Sequence, residues 1–223
     1  MFLSAGGVMK LHLGCGQSYL NNYVNIDFPS SEHSVQVRSV ADLHADLLGL
    51  QYASESIEEV RLHHVFEHFP RPIACALLAS WHSWLKPSGV IHIEVPDFHR
   101  TARVILNPFA SLRKQAVAER HLFGSHEAHW AVHCEGYNSK ILAAMLESFG
   151  FSVNKTRRNS WRGTYNFEIL AKKNVSGLTR EDFEATARKF LANFLVDESE
   201  VKLLDVWMEM YRAQVERSWA SNA

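Results

Sequence analysis

Lys10-Leu11-His12-Leu13 reads as a short strand running straight into Gly14-Cys15-Gly16, and Tyr23-Val24-Asn25-Ile26-Asp27 reads as a second strand close behind it. Glycine carries no Cβ, so a ligand can approach the backbone at such a turn. An acidic residue at the end of the next strand, here Asp27, can accept both hydroxyls of a ribose. Gly-x-Gly alone fits many nucleotide folds. The gap from Gly16 to Asp27 is eleven residues, against roughly 20 in a dinucleotide fingerprint. The residue three after Gly16 is Tyr19 and not a third glycine, so NAD fits poorly.

The rest of the chain alternates strands with helices. Val35 and Val37 alternate with Gln36 and Arg38 as a third strand, and Glu58 to His63 puts Val60 and Leu62 on one face of a fourth. Pro70 and Pro72 introduce a helix with Ile73, Leu77, Trp81 and Leu85 at helical spacing. Pro87-Ser88-Gly89 reads as a turn before a strand from Val90 to Val95, which Pro96 stops. A helix follows Asn138 and closes near Gly150, and Phe151 to Asn154 with Tyr165 to Ala171 form a closing hairpin. This order implies an α/β fold with a mostly parallel sheet, whose ligand sits beyond the carboxyl ends of the strands. Beyond Asn174 the character changes. Thr179 and Asp182 resemble a capping box, with a stripe of Phe183, Ala187, Phe190 and Phe194 behind it. A second helix carries Leu204, Trp207, Met208, Tyr211 and Val215 on one side. Residues 1–174 therefore read as one domain and 175–223 as a helical appendage.

Charge narrows the function. Among 223 residues, 23 Lys+Arg stand against 24 Asp+Glu, a net of −1. That balance gives no overall field to hold a nucleic-acid backbone, and no nucleic-acid partner is expected. No apolar run approaches the 18 or so residues of a membrane span. The segment from Met1 to Met9 lacks the basic start of a signal peptide. Three cysteines (Cys15, Cys75, Cys134) without CxxC spacing argue against disulfides and zinc ribbons, so a reducing cytoplasm is expected.

Several motifs in order resemble the class I S-adenosylmethionine (SAM)-dependent methyltransferases, most closely a small-molecule or glycan-modifying branch with a shortened first helix. They are Leu11 to Gly16, Val24 to Asp27, Ala45-Asp46-Leu47, His64 to Phe69, Leu85 to Gly89 and Val95-Pro96-Asp97. The resemblance covers about Lys10 to Lys173 and implies a Rossmann-like, seven-stranded sheet with an antiparallel closing strand. It implies SAM as cofactor, with Gly14, Cys15 and Gly16 under its methionine part and Asp27 on the ribose hydroxyls. Asp46 would accept from the adenine amino group, with Leu47 near the ring and His64 beside the sulfonium. Asp42 competes with Asp46, but the spacing to Glu67-His68 favours Asp46. His12 and Ser18 depart from the family pattern, standing where an acidic residue and a third glycine are usual.

The acceptor side rests on histidines. The connection from Thr101 to Glu135 is long enough to be a lid or binding loop, and it carries His121, His126, His129 and His133. Since histidine titrates near neutral pH, His64, His126 and His133 are the catalytic candidates. Asp97, His129, Arg158 and Trp161 are the candidates for holding the acceptor. Lys155 to Arg162, read as a loop between the last two strands, would favour an anionic acceptor. In the run His63, His64, Glu67 and His68, His64 and His68 would lie one turn apart if helical and could share a metal. The metalloprotease motif needs a Glu directly after its first His, however, and hydrogen bonding without a metal is the default.

The leading reading is thus a methyltransferase acting on a small polar acceptor, a saccharide or anionic metabolite among them. Two others stand beside it, a metal-dependent hydrolase built on the histidines and a non-catalytic binding or scaffold protein. The aromatic stripe of the C-terminal helices would bury against the domain, a partner or a second copy in a homodimer.

Overall fold

The fold is taken from a computed structural model that describes residues 9–32 and 38–219. Seven strands form one sheet in the order β3-β2-β1-β4-β5-β7-β6. They are β1 (Lys10–Leu13), β2 (Val24–Asp27), β3 (Leu43–His44), β4 (Ile57–His63), β5 (Leu85–Pro96), β6 (Phe151–Trp161) and β7 (Thr164–Lys173). The first five pair in parallel, and β7 runs antiparallel to both β5 and β6. The expected seven-stranded α/β sheet with an antiparallel closing strand is present.

Local chemistry explains most of the elements. The helices are α1 (Arg71–Trp84), α2 (Phe98–Ile105), α3 (Leu112–Phe123), α4 (Ser139–Ser148), α5 (Arg180–Ala192) and α6 (Val201–Ser218). Pro72 sits in the first turn of α1, where a missing N–H costs nothing. Asp97, Ser111 and Asn138 each accept a backbone N–H at the start of the helix that follows. Thr179 and Asp182 close a reciprocal capping box on α5. Gly150, at φ +82°, takes the left-handed turn that ends α4.

Three expectations are corrected, and one lies largely outside the described residues. The strand read at Val35 to Arg38 falls largely on residues 33–37, outside the described residues, and the third strand of the sheet is Leu43–His44. The turn at Pro87-Ser88-Gly89 is absorbed into β5 as an irregularity, because pairing passes from Ile57–Leu85 to Glu59–Val90 with Ser88 at φ +62°. Lys155 to Trp161 is strand and not loop, since each residue pairs across to β7 and only Arg162-Gly163 turns the hairpin. The segment from Thr101 to Glu135 is a helical hairpin for most of its length, built from the end of α2 and all of α3.

The C-terminal pair does not stand apart from the core. α1 is apolar nearly all round, with Trp81 and Trp84 wholly buried, and such a helix needs cover on both sides. The sheet covers one side and α5 and α6 the other, so Phe183, Ala187, Leu191, Leu204, Met208, Tyr211 and Val215 join one core cluster with the strands. Ser80 and Ser218 share a buried 2.8 Å hydrogen bond across that contact. Lys173, at the end of β7, donates to the carbonyls of His82 and Leu85 and so caps α1. Phe183→Ala is expected to cost about 3–5 kcal/mol by chemical denaturation, the range for a buried aromatic. A hairpin merely tethered to the domain would give a loss several-fold smaller.

Candidate functional site

The strand order reverses beside β1, and a cavity of about 670 Å³ opens at the carboxyl ends of β1 and β4. Gly14 and Gly16 both hold positive φ (+66° and +54°), a conformation that favours glycine. A Cβ on Gly14 would collide with Val65, whereas no atom lies within 4 Å of where a Cβ on Gly16 would stand. The cavity therefore reaches the backbone at Gly16. The Gly16 N–H donates to Asp27 Oδ2 at 2.7 Å, and the Phe28 N–H donates to Asp27 Oδ1 at 2.8 Å. The carboxylate is thus oriented by the turn it faces. Cys15 is buried, and burial pushes its thiol up to about 12, so it stays protonated.

Asp46 and Leu47 line the same cavity. Asp46 Oδ1 caps a 3-10 turn at Leu47–Gly49 by accepting from Leu48 N–H, and its Oδ2 lies 2.6 Å from Arg217 of α6. Asp42 lies elsewhere. It accepts from the Asn25 backbone and side chain and from Tyr19, which makes it a latch between β2 and the glycine loop. His12 forms a buried 3.0 Å hydrogen bond with Asn25 Oδ1, so this departure from the family pattern belongs to the same latch.

The histidines gather around two buried carboxylates. His64, at φ +57° just beyond β4, lies 3.2 Å from Glu67 through Nδ1 and 3.6 Å from Glu94 through Nε2. Burial opposes its charge, but the hydrogen bonds and charges of Glu67 and Glu94 outweigh that and push it up to about 9. Against the cost of burial, His63 and His64 hold Glu94 well below the usual carboxylate range, and His64 also draws Glu67 down. His133 lies 3.8 Å from Glu67, and burial pushes it down to about 4. Glu67 and Glu94 thus flank the His64 imidazole, and His63 Nε2 lies 2.8 Å from the same Glu94 carboxylate.

Phe66–His68 is a 3-10 turn and not an α-helix. His64 and His68 consequently belong to different candidate triads, His63/His64/Glu94 and Glu67/His68/His133, each with ligand atoms within 4.8 Å of one another. The shared metal at His64 and His68, which needed a helix, loses its geometric basis.

The acceptor-side candidates scatter. His129 lines the cavity beside Trp130, whose indole N–H donates to the Glu32 carbonyl and ties this roof to the loop after β2. His126 is exposed, with Nε2 2.9 Å from the Phe123 carbonyl. Asp97 is buried as the cap of α2 and lies 3.9 Å from Arg158, whose side chain is largely exposed. Trp161 is exposed at the end of β6, under the Arg162 guanidinium.

Sequence reasoning passed over His121. Its Nε2 lies 3.1 Å from the Tyr165 carbonyl and 2.8 Å from Asn166 Oδ1, and its ring centroid is 5.8 Å from that of His64. A backbone carbonyl only accepts, so the ring proton sits on Nε2 and Nδ1 keeps a lone pair. Burial pushes its pKa down, which keeps it neutral. Only its place in the histidine-rich connection hinted at this.

No family model matches the sequence, and no curated protein is similar to it. Solved structures share the fold. A SAM-dependent methyltransferase of Methanosarcina mazei is 15% identical, with 75% of this chain and 93% of that one covered at a TM-score of 0.51. One from Archaeoglobus fulgidus is 19% identical, with 75% and 87% covered at 0.51. The 1,6-didemethyltoxoflavin-N1-methyltransferase of Burkholderia thailandensis, solved with S-adenosylhomocysteine, is 14% identical, with 75% and 71% covered at 0.51. The chain has the Rossmann-like fold of class I SAM-dependent methyltransferases.

The His64 cluster gives a pH signature. A histidine raised on folding contributes stability that is complete below about pH 6.5, its unfolded value, and is lost as pH rises through about 9. Urea unfolding across that window should show the wild type losing stability toward pH 9, while His64→Gln, weaker at pH 6, shows a flatter slope. Parallel slopes would remove His64 as the source.

Proposed function

We propose that the chain is a SAM-dependent methyltransferase acting on a small polar acceptor. The observation that carries this reading is the glycine turn itself, open to the cavity above Gly16 and clamped to the Asp27 carboxylate at the sheet's switch point. Gly14, Cys15 and Gly16 would lie under the methionine part, Asp27 would take the ribose hydroxyls, and Asp46 with Leu47 would bracket the adenine. When bound, SAM supplies a methyl group already activated for attack, so the protein needs mainly to align an acceptor and remove its proton.

His64 is held as a cation at neutral pH, which suits orienting and charge balance and not proton removal. We assign the proton acceptor to His121, which is not on the cavity wall but stands beside the cavity-lining His64 at 5.8 Å between ring centroids, with Nδ1 as its basic nitrogen and with His129 and Trp130 roofing the acceptor. Three free cysteines support a reducing cytoplasm as the setting.

Thermal unfolding with SAM, S-adenosylhomocysteine and NAD tests the cofactor. A ligand at about 100 times its Kd adds roughly 2.7 kcal/mol, and a chain this size shifts about 2–4 °C per kcal/mol. The two sulfur compounds should raise Tm and NAD should not, and Asp27→Ala should abolish the shift while the apo-protein stays folded. No shift for the wild type would sink the cofactor assignment. With an acceptor in hand, His121→Asn should lower kcat by about 10²-fold or more and leave the SAM-induced shift intact.

A further inference from the structure

A second cavity lies away from the glycine turn. A cleft of about 760 Å³ lies between α2, α3 and the β6–β7 turn, and Arg100, Arg103, Arg113, Lys114 and Arg162 all line it. None of the five forms an ion pair with a carboxylate among the described residues, although Arg100 stacks on Tyr165 and Arg162 on Trp161. From Phe98 to Ala118 the chain has four Lys or Arg and no Asp or Glu. In a protein of net charge −1, so many unpaired cations on one face repel one another and call for an anionic partner.

The mouth of the cleft adds a second, independent feature. The loop joining α2 to α3 and the first residue of α3 present Leu106, Phe109 and Leu112 at 79%, 95% and 82% exposure. Nothing among the described residues covers them, and Phe109 also lines the cleft. A soluble phosphate compound would account for the cations but not for three large apolar side chains held out in water. An anionic lipid surface accounts for both, since apolar tips enter the acyl boundary while flanking Lys and Arg meet the headgroup phosphates. We propose that the α2–α3 loop and its basic cleft dock the protein peripherally on an anionic phospholipid bilayer. No described helix is long and apolar enough to span one, and docking needs none. The inference is independent of the cofactor assignment.

Sedimentation of the full chain with vesicles tests it, using phosphatidylcholine alone and phosphatidylcholine with about 30% phosphatidylglycerol. The wild type should bind the anionic vesicles, lose binding as salt rises, and ignore the neutral ones. Arg113→Gln with Lys114→Gln should weaken binding about thirtyfold, taking about 1 kcal/mol per cation at such a surface. Phe109→Ser with Leu112→Ser should weaken it about tenfold or more by removing the inserted tips. These side chains are exposed or line open space, so Tm should stay unchanged, which separates lost binding from lost folding. No binding to anionic vesicles overturns the proposal. So does unchanged binding by the Phe109/Leu112 variant. Thermal stabilisation by inorganic pyrophosphate through Arg113 and Lys114, without vesicle binding, would make the cleft a soluble-anion site and overturn it equally.

Discussion

The burial of α1 on two sides is the contact on which the rest of the structure depends. Its run of Ala74 to Ala79 with Trp81 and Trp84 has no polar face to give to water, so the sheet alone cannot satisfy it. The last two helices complete the layer, and Arg71 joins the pieces at its amino end. That guanidinium stacks 3.7 Å from the Phe194 ring and reaches Glu135 of the α3–α4 connection. One helix thus fixes the sheet, the C-terminal pair and the chain segment that roofs the cavity.

The site follows from the same frame. β1 and β4 deliver Gly14 and His64 side by side, and β5 delivers Glu94 from the next position in the sheet. Burial raises both carboxyls, and the histidines around them draw them back down, His64 acting on both and His63 on Glu94. Each group holds its neighbour in the charged state, and the cluster acts as a unit.

Much of this was legible in the sequence where local chemistry decides the outcome. The glycine turn, the Pro-initiated α1, the Asn138 cap and the Thr179–Asp182 box each sit where short-range patterns put them. The misreadings share a cause. Lys155 to Trp161 looked like loop because its charges face solvent, yet pairing with β7 holds it as strand. Pro87-Ser88-Gly89 looked like a full stop, yet the sheet tolerates it as an irregularity. The basic cleft was invisible for a different reason. A net charge of −1 averages over a face whose cations come from α2, α3 and the β6–β7 turn, and only the tertiary fold brings them together. His121 is known as a base candidate only through Tyr165 and Asn166, which are distant in sequence.

The ties between α6 and the Asp46 loop carry a thermodynamic consequence. Arg217 holds Asp46, Gln214 donates to the Leu48 carbonyl, and Gln51 reaches back to the Arg217 carbonyl. Coupling free energies are reciprocal. A ligand that orders Asp46 must therefore also slow the fraying of the final helix turns, and any load that peels that helix away loosens the pocket's grip. The chain has wired a remote handle to the cavity wall, one that a fused or associating domain could pull without approaching the cavity itself.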